Sequence, residues 1–341
     1  MDTVRLADDA AGIAQAAALL QAGEPVALPT ETVYGLAANA LDPVAVAKIY
    51  TAKGRPSDNP LIVHVTGAEQ AKLLASELPA EAVALMEAFW PGPLTIVLPK
   101  APQVSAITTG GRPDVGLRSP AHRAFQAVLQ TSGLPLAAPS ANLAGRPSPT
   151  TAQHVFADLH GRIPAVLDGG PCQVGLESTV ISLSGPAPAL LRPGGVSLEQ
   201  LAQVIGPITV DQAVTEQLET GRTPGAPGMK YQHYAPATPI TLLSGPPAEQ
   251  RAWIDQHSGV SIGMLCFDDD AKAFAGIPTI TYGPRHDANA QARQLFAALH
   301  EVDRLGVDHV YAQFPPQTYG VFLAVRNRLL KAAGHRVINC A

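Results

Sequence analysis

The sequence predicts an α/β protein in two folded parts: a mixed sheet with helices, then a small parallel, doubly wound domain. Three observations carry this. At 341 residues the chain is too long for one average domain and fits two. Short apolar β-like runs alternate with helical patterns, irregularly up to residue 206 and strictly after residue 237. Between them, from Gly221 to Pro239, seven of nineteen residues are Gly or Pro, a density that neither a helix nor a central strand tolerates. The predicted organisation is residues 1–206, a linker over 207–236 and a second domain over 237–341.

In order, residues 8–22 are Ala-rich with apolar positions at helical spacing, closed by Gly23. A strand follows at Val26–Leu28. Asp42 and Pro43 read as the N-cap and first position of a helix through Lys53. Apolar runs at Leu61–Val65, Leu94–Leu98, Val115–Leu117, Leu134–Ala138, Ala165–Leu167 and Thr179–Leu183 predict further strands. Ser119-Pro120 and Ser197 are expected caps of later helices. Because helices and strands do not alternate strictly here, the sheet should be mixed. The second domain reads as strand Ile240–Leu243, helix 246–257, strand Val260–Cys266, a short helix, strand Thr279–Tyr282, helix 287–304, strand Val307–Tyr311 and helix 318–333. Strict alternation with right-handed crossovers gives a parallel, doubly wound sheet.

Composition narrows the function classes. Twenty-three basic residues face 28 acidic ones, a formal charge of −5, so no general affinity for phosphate backbones follows. Hydrophobics at 46% against 15% charged residues exclude a disordered chain. No apolar run reaches the roughly 18–20 residues of a membrane span. Asp2, Asp8 and Asp9 precede any long apolar stretch, and Cys172, Cys266 and Cys340 are far apart with no CxxC spacing. A reducing cytosol is therefore the expected compartment, without a disulfide framework or zinc site. The spacings GxxxxGK[ST], GxGxxG and HExxH do not occur.

The chemistry resides in dense polar clusters on loops of the first domain. PTETVYG over 29–35 follows a strand, where open α/β sheets bind ligands. Lys53 and Arg55, two residues apart on a Gly/Pro loop running to Asn59, can converge on one polyanion. GGRPDVGLR over 110–118, PSAN over 139–142, Glu177-Ser-Thr179 and LRPG over 191–194 add hydroxyls, amides and arginines. Taken singly, each is as readily a turn. Together they gather Lys53, Arg55, Arg112, Arg118, Arg146 and Arg192 on strand-edge loops of an acidic domain, which points to a polyphosphate pocket built without a Walker loop.

Seven segments in order, PTETVYGL, KGRPSDNPLIVHV, WPGPLTIVLP, VGLRSP, APSANLAGRPSPT, DGGPCQVGLESTVI and LRPGG, resemble the YrdC-type threonylcarbamoyl-AMP synthase family over roughly residues 10–200. The KxR…SxN signature is present as Lys53, Arg55, Ser140 and Asn142. PGMKYQHYAP and the domain after it are similar to the long form of that family, which carries a C-terminal Rossmann-like domain.

The resemblance implies a twisted YrdC-like sheet around a concave positive cavity. It also implies synthesis of threonylcarbamoyl-AMP and pyrophosphate from L-threonine, bicarbonate and ATP, for threonylcarbamoyladenosine in tRNA. It places Thr32, His64, Arg118, Ala138 and Ser178 around threonine, with Arg118 on its carboxylate. Arg55, Asn59, Ser140, Ser148, Arg192 and Tyr234 would contact ATP, and Lys53 and Asn142 would complete a catalytic signature with Arg55 and Ser140. Mg²⁺ would enter with ATP, held mainly by phosphates and water rather than by protein ligands. The expected partners are these substrates and the downstream tRNA-transfer proteins, with no membrane and no strong direct nucleic-acid binding. Residues 221–236, with Lys230, Tyr231, His233 and Tyr234, are expected to form a lid over the nucleotide. Cys172 is expected to be a small buried or turn cysteine, and His64 and His233 positioning groups rather than bases. Two other readings are a non-catalytic double-stranded RNA or tRNA binder, disfavoured by the acidic balance, and a carbamoyl-transfer domain, which lacks its Cys-rich companion here.

Overall fold

The computed structural model of the protein describes residues 2–214, 233–257 and 259–340. They divide into two compact units. The first holds residues 2–144, 148–173 and 177–214; the second holds 145–147, 174–176 and the described residues from 233 onward.

The first unit runs β1 (Val4–Ala7), α1 (Ala10–Gln21), β2 (Val26–Leu28), β3 (Gly35–Asn39), α2 (Pro43–Lys53), β4 (Ile62–His64), α3 (Ala68–Lys72), α4 (Ala80–Phe89), β5 (Leu94–Pro99), β6 (Asp114–Arg118), α5 (Arg123–Ser132), β7 (Leu136–Ala137), α6 (Ala152–Leu159), β8 (Ala165–Asp168), β9 (Thr179–Ser182), β10 (Ala189–Arg192), α7 (Leu198–Ile205) and β11 (Thr209–Val210). Among the described residues these strands form one sheet in the order β1-β8-β2-β3-β7-β4-β6-β5-β9-β10-β11. It is mixed, as predicted: β4 and β6 are parallel, while β2–β3, β3–β7 and β5–β6 are antiparallel.

Both faces of the sheet centre are covered, which explains strands that read as apolar runs instead of alternating. Ala27, Leu36 and Ala38 join a core with α2 and α4, while their neighbours Val26, Leu28 and Ala37 join another with α1 and α5. The predicted caps hold at two helices. Asp42 Oδ1 accepts from Val44 N–H at 2.9 Å with Pro43 first in α2, and Ser197 forms a capping box with Gln200. The third cap is corrected: α5 starts after His122, whose Nδ1 accepts from Ala124 N–H, because Ser119 and Pro120 continue the strand-edge loop. The segment read as linker begins with β11, paired in parallel with β10.

The second unit runs β12 (Ile240–Ser244), α8 (Pro247–His257), β13 (Ile262–Cys266), a 3-10 turn (Asp268–Phe274), β14 (Thr279–Thr281), α9 (Ala288–Val302), β15 (His309–Gln313), α10 (Gly320–Ala332) and β16 (Val337–Asn339). All its pairings are parallel, in the order β14-β13-β15-β12-β16, so the doubly wound prediction holds with β16 as an additional edge strand. Right-handed crossovers send α8 to one face and α9 and α10 to the other. Accordingly α9 packs on α10, and α8 on the 3-10 turn.

Candidate active site

The loop leaving β2 is built by its own hydroxyls. Thr30 Oγ1 donates to the Val33 carbonyl at 2.6 Å and accepts from the N–H groups of Thr32 and Val33. With the Thr30 proton committed, the 2.8 Å contact to Thr32 Oγ1 is donated by Thr32. Thr32 therefore turns its lone pairs to Arg118, whose Nη1 donates to it at 2.9 Å. Arg118 Nη2 donates to Glu31 Oε1 at 2.7 Å and Nε to the Gly92 carbonyl at 3.2 Å. Glu31 Oε2 accepts from Ala121 N–H. The Arg118 and Glu31 side chains are only 5% and 8% exposed, so this is a buried, hydrogen-bonded ion pair. Three of the five guanidinium N–H donors are used, and the remaining two can face a ligand.

His64 stands opposite Arg118 in the β4–β6 register and packs on Phe125 at 5.1 Å between ring centroids. Burial, reinforced by the Arg118 charge, pushes its pKa down to about 3. His64 is therefore neutral at physiological pH. Ala138 donates its N–H to the Ile62 carbonyl on the next strand. Gly35 meets Ser140 in an antiparallel bridge, and a Cβ there would stand 3.2 Å from Ala138 Cβ. That bridge joins the loop after β2 to the PSAN loop.

Lys53, 2% exposed at the end of α2, donates to the carbonyls of Ser140 and, at 2.6 Å, Asn142. Ala144 N–H donates back to the Lys53 carbonyl at 2.9 Å. The two halves of the KxR…SxN signature are thus tied together through the lysine, whose ammonium is held by backbone oxygens. Burial and the neighbouring Arg55 charge pull its pKa well down. Two residues on, Arg55 donates to the carbonyls of Asn59 at 3.4 Å and Pro60 at 3.2 Å. Asn59 is buried, and its Oδ1 has no hydrogen-bond partner among the described residues. An unsatisfied buried amide oxygen costs about 1–3 kcal/mol. It is an acceptor waiting for a donor.

The LRPGG and Glu177-Ser-Thr179 segments meet backbone to backbone. A Cβ on Gly194 would fall 2.3 Å from Thr179 N, so only glycine permits the approach. Arg192 is thereby laid on Ser178, donating to its carbonyl at 3.0 Å and its hydroxyl at 3.1 Å. Ser178 Oγ also contacts Thr95 Oγ1 at 2.8 Å, and Ser148 donates to Glu177 Oε1 at 2.5 Å.

The structure therefore unites Thr32, His64 and Arg118, unites Arg55 with Asn59, and joins Lys53 to Ser140 and Asn142. Ser178, from the threonine set, touches Arg192, from the ATP set. Not all six cations gather on one pocket. Arg112 forms a forked pair with Asp114 on β6 at 2.7 and 2.8 Å, and Arg146 is exposed and belongs with the second unit. Cys172 is buried, and burial raises its thiol pKa, as fits a structural cysteine. Tyr234 packs inside the second unit, its ring 5.3 Å from Phe296 with the Arg328 guanidinium over it. Lys230 and Tyr231 lie outside the described residues.

Comparison with known proteins bears on what this arrangement serves. A family profile described as telomere recombination, of the Sua5, YciO and YrdC proteins, matches residues 18–194. A second, described as the threonylcarbamoyl-AMP synthase C-terminal domain, matches residues 196–334. The threonylcarbamoyl-AMP synthase of Bacillus subtilis is 49% identical over 329 residues, covering 96% of this chain and 94% of that protein. The chain belongs to the threonylcarbamoyl-AMP synthase family. The synthase of Pyrococcus abyssi is 45% identical, over 95% of this chain and 94% of its own length. The crystal structure of P. abyssi Sua5 complexed with L-threonine superposes with a TM-score of 0.89 at 42% identity, covering 99% of each chain. A double variant of that protein, with a His and a Tyr replaced by Ala, superposes equally well.

Within this family member, two contributors to the site carried no role in the sequence reading. Glu31 orients Arg118, and Thr95 holds Ser178. Glu31 stood within the PTETVYG cluster, but its partner lies 87 residues away. Thr95 sits in an apolar strand run that marks only a core.

Proposed function

We infer that this protein is a threonylcarbamoyl-AMP synthase, converting L-threonine, bicarbonate and ATP to threonylcarbamoyl-AMP and pyrophosphate. The observation that carries the reading is the buried Thr32–Arg118–Glu31 cluster. It presents a guanidinium, held by a carboxylate and a carbonyl, with donors left for the carboxylate of an amino acid. The names of the full-length relatives support the same activity.

In this reading Arg118 takes the threonine carboxylate, while Thr32, His64, Ala138 and Ser178 shape the pocket around the side chain and amine. Neutral His64 adds no charge beside the amine. The amine nitrogen bonds to the carbon of bicarbonate with loss of water, giving a carbamate. A carbamate oxygen then attacks the α-phosphorus of ATP as the bond to the β-phosphate oxygen breaks and pyrophosphate leaves. Two anions must meet in this step, and Arg55 and Arg192 relieve the repulsion while Asn59, Ser140 and Ser148 fix the in-line approach. Lys53 acts through Ser140 and Asn142, holding their loop in place. We further propose that Tyr234 reaches the nucleotide.

Mg²⁺, when bound, would neutralise phosphate charge. Among the described residues no cluster of three His, Cys, Asp or Glu could hold a metal, and Glu31 and Glu177 are engaged by Arg118 and Ser148. In this reading the ion rides on the phosphates and water, as its reluctance to dehydrate suggests. No described helix is long and apolar enough to cross a membrane. We place the enzyme in the cytosol, handing its adenylate to the proteins that modify tRNA.

The test is mass-spectrometric detection of threonylcarbamoyl-AMP from purified protein, ATP, threonine and bicarbonate. Pyrophosphate release that did not require threonine would overturn the reading.

A further inference from the structure

The second unit carries no residue of the KxR…SxN signature, yet it holds a cavity of about 300 Å³ of its own. Its place is not arbitrary. The cavity lies at the carboxyl ends of three adjacent strands: Ser244 ends β12 and Gly245 follows it, Phe267 follows β13, and Gln313 ends β15 with Phe314 next. At these strands the connections part, β12 and β13 leading to one face of the sheet and β15 to the other. Such a switch point opens a crevice, and open α/β sheets bind ligands there. The volume is at the lower end of small-molecule pockets, roughly 300–1,000 Å³.

The lining has a rigid floor and a charged wall. Gln250 donates to the carbonyls of Leu243 and Gly245, and Gln313 donates to Gln250 Oε1 at 2.9 Å while accepting from Phe267 N–H. The two amides lock each other and the strand ends. Ser244 Oγ is committed to Ile338 and Asn339. What remains is a pair of arginines, each laid on a phenylalanine. The Arg326 guanidinium sits 4.5 Å from the Phe314 ring centroid and that of Arg285 4.8 Å from Phe267.

Their counter-ions differ. Arg285 pairs with Asp270. Arg326 has no acidic partner among the described residues; Nη1 donates to the Pro315 carbonyl at 3.0 Å, and burial pulls its pKa down without any carboxylate to offset it. A half-buried cation with four N–H donors unused among the described residues, beside a second arginine and an apolar wall, calls for an anion with an apolar body. We propose that this cavity binds a phosphate monoester on a flat organic body, the size of a nucleoside monophosphate. Arg326 and Arg285 meet the phosphate, and Phe267, Phe314 and Pro316 line the space for the body. The lining shares no residue with those assigned above to threonine and ATP, and it gives the second unit a ligand of its own.

Equilibrium dialysis of labelled AMP tests it, using the full chain with Arg55→Ala to weaken nucleotide binding at the proposed substrate site. Saturable AMP binding is expected to persist in that background. Adding Arg326→Gln should weaken it about tenfold or more, as loss of a charge-assisted phosphate contact implies, and Arg326→Lys should weaken it less. Adenosine and inorganic phosphate should each bind more weakly than AMP. Unchanged AMP binding with Arg326→Gln, or adenosine binding as tightly as AMP, overturns the proposal. Wild-type crystals soaked in AMP give an independent answer: density against Phe267 and Phe314 supports it, and AMP beside Arg55 alone overturns it.

Discussion

The surroundings of Arg118 and those of Arg55 serve one proposed reaction with opposite physical strategies. Arg118 is buried at a strand end, fixed by a carboxylate, a hydroxyl and a carbonyl at 2.7–3.2 Å. Arg55 lies on a Gly/Pro loop, partly exposed, with longer contacts to two carbonyls at 3.2 and 3.4 Å. The first is assembled across the sheet from distant segments; the second sits on a partly exposed loop and holds carbonyls of its own loop. A small amino acid offers few contacts, so its guanidinium must be pre-positioned. A triphosphate brings enough charge to order a cation on arrival. The comparison teaches that substitutions near Arg118 should act on stability and threonine together, and those at Arg55 on the nucleotide alone.

The largest expected effect comes from Glu31→Ala, which leaves Arg118 buried without its carboxylate. Breaking a buried pair this way costs about 3–5 kcal/mol, read as a fall in stability on urea denaturation. The double change Glu31→Met with Arg118→Met should recover much of the stability, yet not the use of threonine. Threonine-dependent turnover in that double variant would remove Arg118 from the substrate site.

Arg55→Ala is expected to leave stability within about 1 kcal/mol. One charge-assisted phosphate contact, roughly 1.5–3 kcal/mol, should be lost, which is roughly 10–150-fold in kcat/KM for ATP. Unchanged turnover at subsaturating ATP would break the comparison at its nucleotide half.

A smaller effect separates the halves by pH. The His64 pKa falls from 6.5 to about 3 on folding, so between these values the unfolded chain takes up a proton that the folded chain refuses. Its contribution to stability is complete above pH 6.5 and drains away as pH falls, at up to about 1.4 kcal/mol per pH unit. His64→Gln should flatten that dependence, measured by urea denaturation at pH 5 and 7, while Arg55→Ala should keep it. An unchanged slope in His64→Gln would place the titration elsewhere.

How far the sequence foretold this follows from the range of each interaction. The second unit was legible because its strands and helices alternate and each run is locally complete. β3 was not: GLAAN has weak strand propensity and owes its conformation to β2 and β7 on either side. β16, three residues with partly exposed side chains, is defined only by its pairing with β12. In the site, the residue types and their loops were readable, whereas their pairings were not. Arg112 turned to Asp114 two residues away, Arg118 to Glu31 across the sheet, and Lys53 to backbone oxygens that carry no side-chain signature. Counting cations on loops overestimates a pocket's charge, because the fold supplies counter-ions that spacing does not reveal.

The smallest expected effect concerns Ser178, where the two halves meet. Its hydroxyl accepts from Arg192 Nη2, since a guanidinium only donates, and its 2.8 Å contact with Thr95 fixes its rotamer inside the protein. Thr95→Val keeps the shape of the side chain but removes this partner. Arg192 stays anchored through Nε on the Ser178 carbonyl, so the nucleotide half retains its cation. A single neutral hydrogen bond is worth about 1 kcal/mol, or about fivefold in an equilibrium. Thr95→Val should therefore raise the KM for threonine about fivefold and leave that for ATP unchanged. If the ATP constant rose instead, Ser178 would belong to the nucleotide half, and the boundary between pre-positioned and loop-borne residues would move to the far side of β9.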